Sequence, residues 1–523
     1  MPIPSVSRRQ FLATGSALLA ATYVPDWAEA FQPGATDDAR RAEAAEAALS
    51  RAAALGASYA DLRINRYRRE SIATRERQVQ NVSRSTSYGL GLRVLVNGTW
   101  GFAATNVVDP AAARAAAEQA VAIARANAVL TTRKVVLAAA DKVVTTWANP
   151  IKRDPFDVPL ETKTAFLMKL NETALAVTGV SFVSSQILFV DEQKYFASSE
   201  GSRITQRLVR TYPQFSTTAA DRASGDFQTR AVVDRAKLIG YEYVEDYPWL
   251  QDAEQAGHEV VEKLKSKPVV PGRYDIVVDP SQLFLAIHES VGHSTELDRS
   301  LGFEANMAGT SFLKSTDAGT LRFGAPIVNL VGDRTQTGGL ATTGFDDEGV
   351  KAERWHLVRD GMFVDWQTTR ELAPLIGQSR SHGCLHADDW SSVPFPRMPN
   401  VSLEPAATEV SLDDLFSGIK RGLFVEGRGS SSIDQQRYNF QFGGAVIREI
   451  TNGKLGAMVR DAAYQSRTPD FWASCDGLGG PSTYRLWGTS ADGKGEPGQT
   501  NAVSHGCPPA RFRNITVLNT GAA

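Results

Sequence analysis

Cysteine is scarce in this 523-residue chain. Cys384, Cys475 and Cys507 are too few and too scattered for a disulfide framework, and an odd count leaves at least one thiol unpaired. Basic surplus is missing too. With 56 Lys and Arg against 58 Asp and Glu, the formal charge of −2 offers no excess cation to neutralise phosphates, which argues against nucleic-acid binding as the main activity. Beyond the N-terminus no apolar run approaches the roughly 20 residues of a membrane-spanning helix. Histidine is rare, at seven, so any cluster of it carries information.

What is present begins with a targeting pattern. Arg8 and Arg9 precede an apolar stretch from Phe11 to Val24, and Ala-Glu-Ala at 28–30 supplies the small residues of a cut after Ala30. The paired arginines mark residues 1–30 as a twin-arginine signal peptide. They predict a periplasmic or secreted protein with no membrane association once the signal is removed.

The mature chain reads as α+β in two domains. Residues 31–268 hold an alanine-rich helix from Asp37, a strand pair turned at Asn97-Gly98, a second alanine-rich helix opened by Asp109-Pro110, and further strands. "KPVVPG" near residue 270 is a Pro/Gly joint. Residues 269–523 then form a β-rich domain with one functional helix. "GLGLRV" lacks the third glycine of a dinucleotide loop and runs on into a strand, so it reads as a turn.

That functional helix carries "HESVGHSTELDR", residues 288–299. His288 and Glu289 open like the H-E-x-x-H of zinc peptidases, but His293 stands five residues after His288. At about 100° per residue, such a spacing splays two side chains by roughly 140° on a regular helix. A one-residue π-bulge at Gly292 returns both imidazoles to one side. Neutral imidazoles suit Zn²⁺, and Glu289 is placed to activate a water as general base. Two ligands are one short of a catalytic zinc site. Glu296 is near enough to ligate or to orient His293, and Asp298 and Arg299 add charge around it. A buried helix whose histidines only bond to backbone is the plainer alternative. "SHGC" occurs at 381 and 504, which raises a cysteine hydrolase built on Cys384 or Cys507, but adjacency in sequence does not create base-to-thiol geometry.

The stretch resembles the signature of the TldD/PmbA family of metallopeptidases. The resemblance runs on through "GLGLRVLVNGTWGFAATN", "FDDEGV" at 345, "DGMFVDWQTTRE" at 360, "PRMPNVSLEP" at 396 and the closing "RFRNITVLNTG". It implies an α+β N-terminal domain and a β-rich C-terminal domain. It also implies homodimers or heterodimers with a related subunit that enclose a cavity, and hydrolysis of flexible or unfolded peptides. His288 and His293 would be zinc ligands and Glu289 the general base. The family's third ligand is a cysteine in a late C-G-K segment, where this chain reads "ADGKGEPGQ". Asp492 therefore stands in its place and gives a His₂-carboxylate set, a harder donor set open to other divalent metals. Cys507, His505 and Cys475 are the rival third ligands. His382, in "RSHGCLHADDW", falls in a polar loop that lines the substrate cleft together with Cys384 and His386. The alternative function is a non-catalytic, peptide-binding partner subunit.

Overall fold

A computed structural model describes residues 35–307 and 309–521. The twin-arginine segment and the cut after Ala30 lie outside them. Helix α1 (Ala35–Ala54) leads into an antiparallel meander of β1 (Tyr59–Arg75), β2 (Gln78–Val96) and β3 (Thr99–Thr105). The β2–β3 turn is two residues long, with Asn97 at φ 54° and Gly98 at φ 79°, the left-handed pair that matches strand twist. In α2 (Pro110–Asn127), the Asp109 carboxylate accepts from the amides of Ala111 and Ala112, at 2.8 Å each. Strand β4 (Val144–Ala148), helix α3 (Leu160–Leu175), β5 (Val180–Ser198), β6 (Arg203–Ala220) and β7 (Phe227–Val232) complete a seven-stranded sheet. Its order is β3-β2-β1-β5-β6-β4, with β7 on β6.

One face of this sheet is apolar. Leu62, Ile64, Leu90, Leu92 and Val94 pack on the alanines of α1 and α2, whose small side chains let helix and sheet approach closely. At Gly101 the approach is closest, since a β-carbon there would fall 2.0 Å from the Ala120 carbonyl oxygen. Helices α3 and α4 (Trp249–Lys265) cover the rest of that face. The opposite face carries charge yet is buried against the C-terminal half. Arg93 pairs with Asp61 at 2.5 Å, Lys194 with Asp347 at 2.9 Å, and Gln206 donates to the Phe345 carbonyl at 2.9 Å.

The second half is built on an eight-stranded sheet. Along it lie Arg421–Ile433, β8 (Gly272–Val278), Ala510–Asn519, Ala462–Arg467, Asn439–Thr451 and Lys454–Arg460, with Lys267–Pro268 on the last and Cys475–Leu478 beside Ala510–Asn519. From β8 the chain turns at Asp279, which caps α5 (Pro280–Ile287) by accepting from the Ser281 amide at 2.8 Å. The hairpin of β9 (Arg485–Lys494) and β10 (Gln499–Cys507) packs beside α5, as does the short strand Asn400–Leu403. All of α5 except Ser281 is buried in the core of this half. Its C-terminal end is thereby fixed between sheet and hairpin. Among the described residues no helix is long and apolar enough to cross a membrane.

Candidate metal centre

Beyond Ile287 the helix widens. Residues His288–Gly292 form a π-helical turn, in which the His293 amide donates to the His288 carbonyl at 3.1 Å, five residues back. The inserted residue brings the two imidazoles together, with centroids 4.6 Å apart. Widening a helix strands backbone groups, and Gln367 takes up one of them. Its side-chain amide donates to the Gly292 carbonyl at 2.5 Å and to Thr295 Oγ1 at 2.8 Å. Any larger residue at 292 must displace Met398, because a β-carbon would meet its Sδ at 2.4 Å.

Asp492, on β9, reaches this turn from the hairpin. Its Oδ1 lies 3.7 Å from His288 Nε2 and 3.5 Å from His293 Nε2. The three ligand atoms fall within 4.8 Å of one another, and all three residues are buried. Tetrahedral zinc, with bonds of about 2.0–2.2 Å, sets ligand-to-ligand edges of roughly 3.3–3.6 Å. The two carboxylate-to-imidazole edges, 3.7 and 3.5 Å, lie close to that value. Burial holds His288 well below the ordinary histidine range, with His505 and Arg437 adding to the effect. Burial likewise lowers His293, helped by Arg299 and Arg437. Both rings are therefore neutral near pH 7, the form that binds metal.

Charged side chains frame the three donors. His293 Nδ1 lies 2.9 Å from Glu296 Oε2 and 3.1 Å from Arg299 Nη2, and Arg299 Nε donates to the same carboxylate oxygen at 2.5 Å. Lys494, with a side chain 0% exposed, donates to Glu296 Oε1 at 3.0 Å and to the Pro396 carbonyl at 2.9 Å, and its Nζ lies 2.8 Å from Asp298 Oδ2. Burial alone would raise the Glu296 carboxyl, but Lys494 and Arg299 outweigh it and hold the group well below the usual range. It stays ionised and can keep the His293 proton on Nδ1. Arg397 Nη2 holds Asp492 Oδ2 at 3.0 Å and also donates to the Asp492 carbonyl, which leaves Oδ1 turned toward the histidines. Glu289 is partly exposed at the edge, where Arg437 Nη1 donates to its Oε2 at 2.7 Å. Burial raises its carboxyl above the usual range, against the pull of Arg437.

The remaining sequence candidates fall elsewhere. His505 is fully buried and lies beside His288, with Nε2 at 2.8 Å from His288 Nδ1 and Nδ1 at 2.7 Å from the Val401 carbonyl. Both of its nitrogens are engaged, so it does not face Asp492 as a third donor. Cys475 and Cys507 are free, buried core thiols, with Sγ 3.9 Å from the Gly477 carbonyl and 3.8 Å from the Pro280 carbonyl. Burial pushes Cys475 up to about 12 and Cys507 well above the ordinary thiol range, so neither is a ready thiolate ligand. Cys384 is also buried and raised to about 12, which removes the nucleophile that a cysteine hydrolase needs. His382 is bound away from the metal centre. It lies between Glu353 and Asp365, 2.9 Å from the latter, and stacks on Trp355 at 4.4 Å. Lys494, Arg397, Arg437 and Gln367 went unnoticed in the sequence. Lys494 alone had a local signal, two residues beyond Asp492.

Comparison with known proteins agrees along most of the described chain. The PmbA/TldA metallopeptidase domain 1 matches residues 60–124, the central domain 153–267 and the C-terminal domain 271–519. The first two fall on the seven-stranded sheet and its helices, and the third takes in the metal centre. A metalloprotease of Methanothermobacter thermautotrophicus is 29% identical over 464 residues, covering 88% of this chain and 96% of that one. The zinc metalloprotease TldD homolog of Saccharolobus solfataricus is 22% identical over 485 residues, covering 90% and 98%. Among solved structures, TldE from Thermococcus kodakarensis superposes with a TM-score of 0.67 at 15% identity, over 91% of this chain and 99% of that one. A Thermotoga maritima protein does so at 0.73 and 15%, over 91% and 100%. At such identities the structural likeness carries the fold. With all three domains matched in order, the chain belongs to the TldD/PmbA family of metallopeptidases.

Proposed function

We propose that the protein is a metal-dependent peptidase, with zinc as the leading candidate metal, acting on flexible or unfolded peptides. One observation carries the reading: two neutral imidazoles and one carboxylate oxygen converge within 4.8 Å in a buried site. Two imidazoles and a carboxylate gathered out of water have the donor chemistry of a His₂-carboxylate metal site. His288 Nε2, His293 Nε2 and Asp492 Oδ1 would hold the metal. A metal held there would supply Lewis acidity for the scissile carbonyl and for a nucleophilic water.

The chain's own groups do the rest. Glu289 follows the first ligand and lies at the open edge of the site, where its carboxylate can take the proton of the attacking water and pass it to the leaving amine. Its raised affinity for a proton suits that exchange. Arg437 orients it through Oε2. Lys494, Arg299 and Glu296 fix the His293 ring. An apolar groove of about 470 Å³ is lined by Trp100, Phe102, Phe303, Phe395 and Pro396, the last adjacent in sequence to the arginine that holds Asp492. It offers a place for a hydrophobic substrate side chain.

Export through the Arg8-Arg9 segment and pairing with a second copy or a related subunit belong to the same proposal. Signal-peptide fusion and light scattering test those two points. The activity itself is tested by metal analysis coupled to hydrolysis of an unstructured peptide. The parent should bind one equivalent and cleave, while Glu289→Gln should keep the metal and lose cleavage by about 10²-fold or more. Full activity in Glu289→Gln would refute the general-base role. A parent that binds unfolded peptides but neither metal nor cleaves them would favour the partner-subunit reading.

A further inference from the structure

Of the two histidines in the metal centre, only His293 has a carboxylate on its outer nitrogen. His288 has His505. The Val401 carbonyl, 2.7 Å from His505 Nδ1, can only accept, so that nitrogen must carry a proton. In a neutral imidazole only one ring nitrogen carries a proton, so Nε2 is the acceptor lone pair. That lone pair lies 2.8 Å from His288 Nδ1, which must then donate. The position of one backbone carbonyl is thus transmitted through two hydrogen bonds to the tautomer of His288.

The neighbouring strands hold this relay in register. Adjacent to His505, the Ser504 amide donates to Asn400 Oδ1 at 3.1 Å and the Gly506 amide to Ser402 Oγ at 2.9 Å. Side chains on both flanks of Val401 therefore pin the backbone on both flanks of His505. Phe284 of α5 stacks on the imidazole, with centroids 6.5 Å apart.

We propose that His505 is a positioning residue that fixes His288 with its proton on Nδ1, leaving Nε2 as the lone pair that faces Asp492. A neutral imidazole here does what a carboxylate usually does behind a ligating histidine, and it adds no negative charge to the site. The metal-affinity part of this inference rests on the metal reading above, whereas the tautomer part does not.

The experiment uses metal-free protein labelled with ¹⁵N at histidine. Long-range ¹H–¹⁵N correlations report the tautomer of each ring, and His288→Gln assigns the His288 signals. The expected result is a pyrrole-like Nδ1 and a pyridine-like Nε2 at both His288 and His505. His505→Phe removes the acceptor and should convert part of His288 to the Nε2–H form, with zinc affinity falling about 10- to 100-fold. His505→Gln keeps an acceptor and should bind zinc within a few-fold of the parent. An Nε2–H tautomer at His288 in the parent overturns the proposal whether or not the variants fold. So does parental zinc affinity in a folded His505→Phe. If the parent binds no zinc yet shows Nδ1–H at His288, the metal reading fails and the tautomer assignment stands.

Discussion

Replacing Lys494 with methionine keeps the length of the side chain and removes a fully buried ammonium group. That ammonium lies 3.0 Å from Glu296 Oε1 and 2.8 Å from Asp298 Oδ2, and both partner side chains are no more than 2% exposed. Without it, two carboxylates remain in the core with Arg299 as their near cation. Burial already raises the Asp298 carboxyl even with Lys494 present. Removing one member of a buried pair typically costs about 3–5 kcal/mol, because the partner's charge is left uncompensated. No reduction for solvent screening applies where the groups are enclosed. With a urea slope of about 3 kcal/mol per molar, the unfolding midpoint should fall by roughly 1–1.7 M. Urea titration followed by tryptophan fluorescence and circular dichroism measures it. Zinc affinity should fall as well, since Glu296 orients His293. A midpoint within about 0.3 M of the parent, where that same slope makes the change about 1 kcal/mol, would refute the assignment of Lys494 as the counter-charge.

Further expectations concern the surroundings of the site. His382 is raised to about 9, because the Asp365 and Glu353 hydrogen bonds outweigh the opposing effect of burial. Its folded value exceeds the unfolded one of about 6.5, so its contribution, roughly 2–3 kcal/mol, is complete below pH 6.5 and lost as pH rises through 9. Stability–pH profiles should show that decline in the parent and lack it in His382→Gln. Gly292→Ala should destabilise by about 1–3 kcal/mol as Met398 is displaced, read from the same urea titration, and should loosen metal binding by disturbing the π turn. Asp492→Ala should abolish stoichiometric zinc binding, while Asp492→Cys should restore it and favour softer metals, both followed by competition with a chromophoric chelator. A thiol-specific chromogenic reagent should detect almost nothing in the native protein and three thiols after unfolding, since Cys384, Cys475 and Cys507 are free and buried.

Legibility in the sequence followed locality. His288, Glu289 and His293 lie within six residues of one another, and the five-residue spacing of the histidines pointed to a helix distortion at Gly292, where the structure has its π turn. The Asn97-Gly98 turn and the Asp109-Pro110 cap were readable because the chemistry of two adjacent residues decides them. Asp492 could be singled out only from the resemblance of a whole segment, since an aspartate near glycines ordinarily marks a turn. Arg397 and Arg437 were invisible. They come from separate loops, and a charged residue in a polar stretch reads as solvated surface until the fold encloses it. The same reason hid the charged face of β1, where Asp61 and Arg63 alternate with Leu62 and Ile64 as on a half-exposed strand yet are buried against the second half. Cys475 and Cys507 erred in the opposite sense. Their chemistry suggested ligands, and their packing made them core residues.

The central claim is that His288, His293 and Asp492 hold one metal ion. Crystals of the zinc-loaded protein, measured on both sides of the zinc absorption edge, test it without reliance on activity. The account predicts a single strong anomalous peak about 2.0–2.2 Å from His288 Nε2, His293 Nε2 and Asp492 Oδ1. A peak ligated by other residues, or none at these three in zinc-saturated crystals, would contradict it.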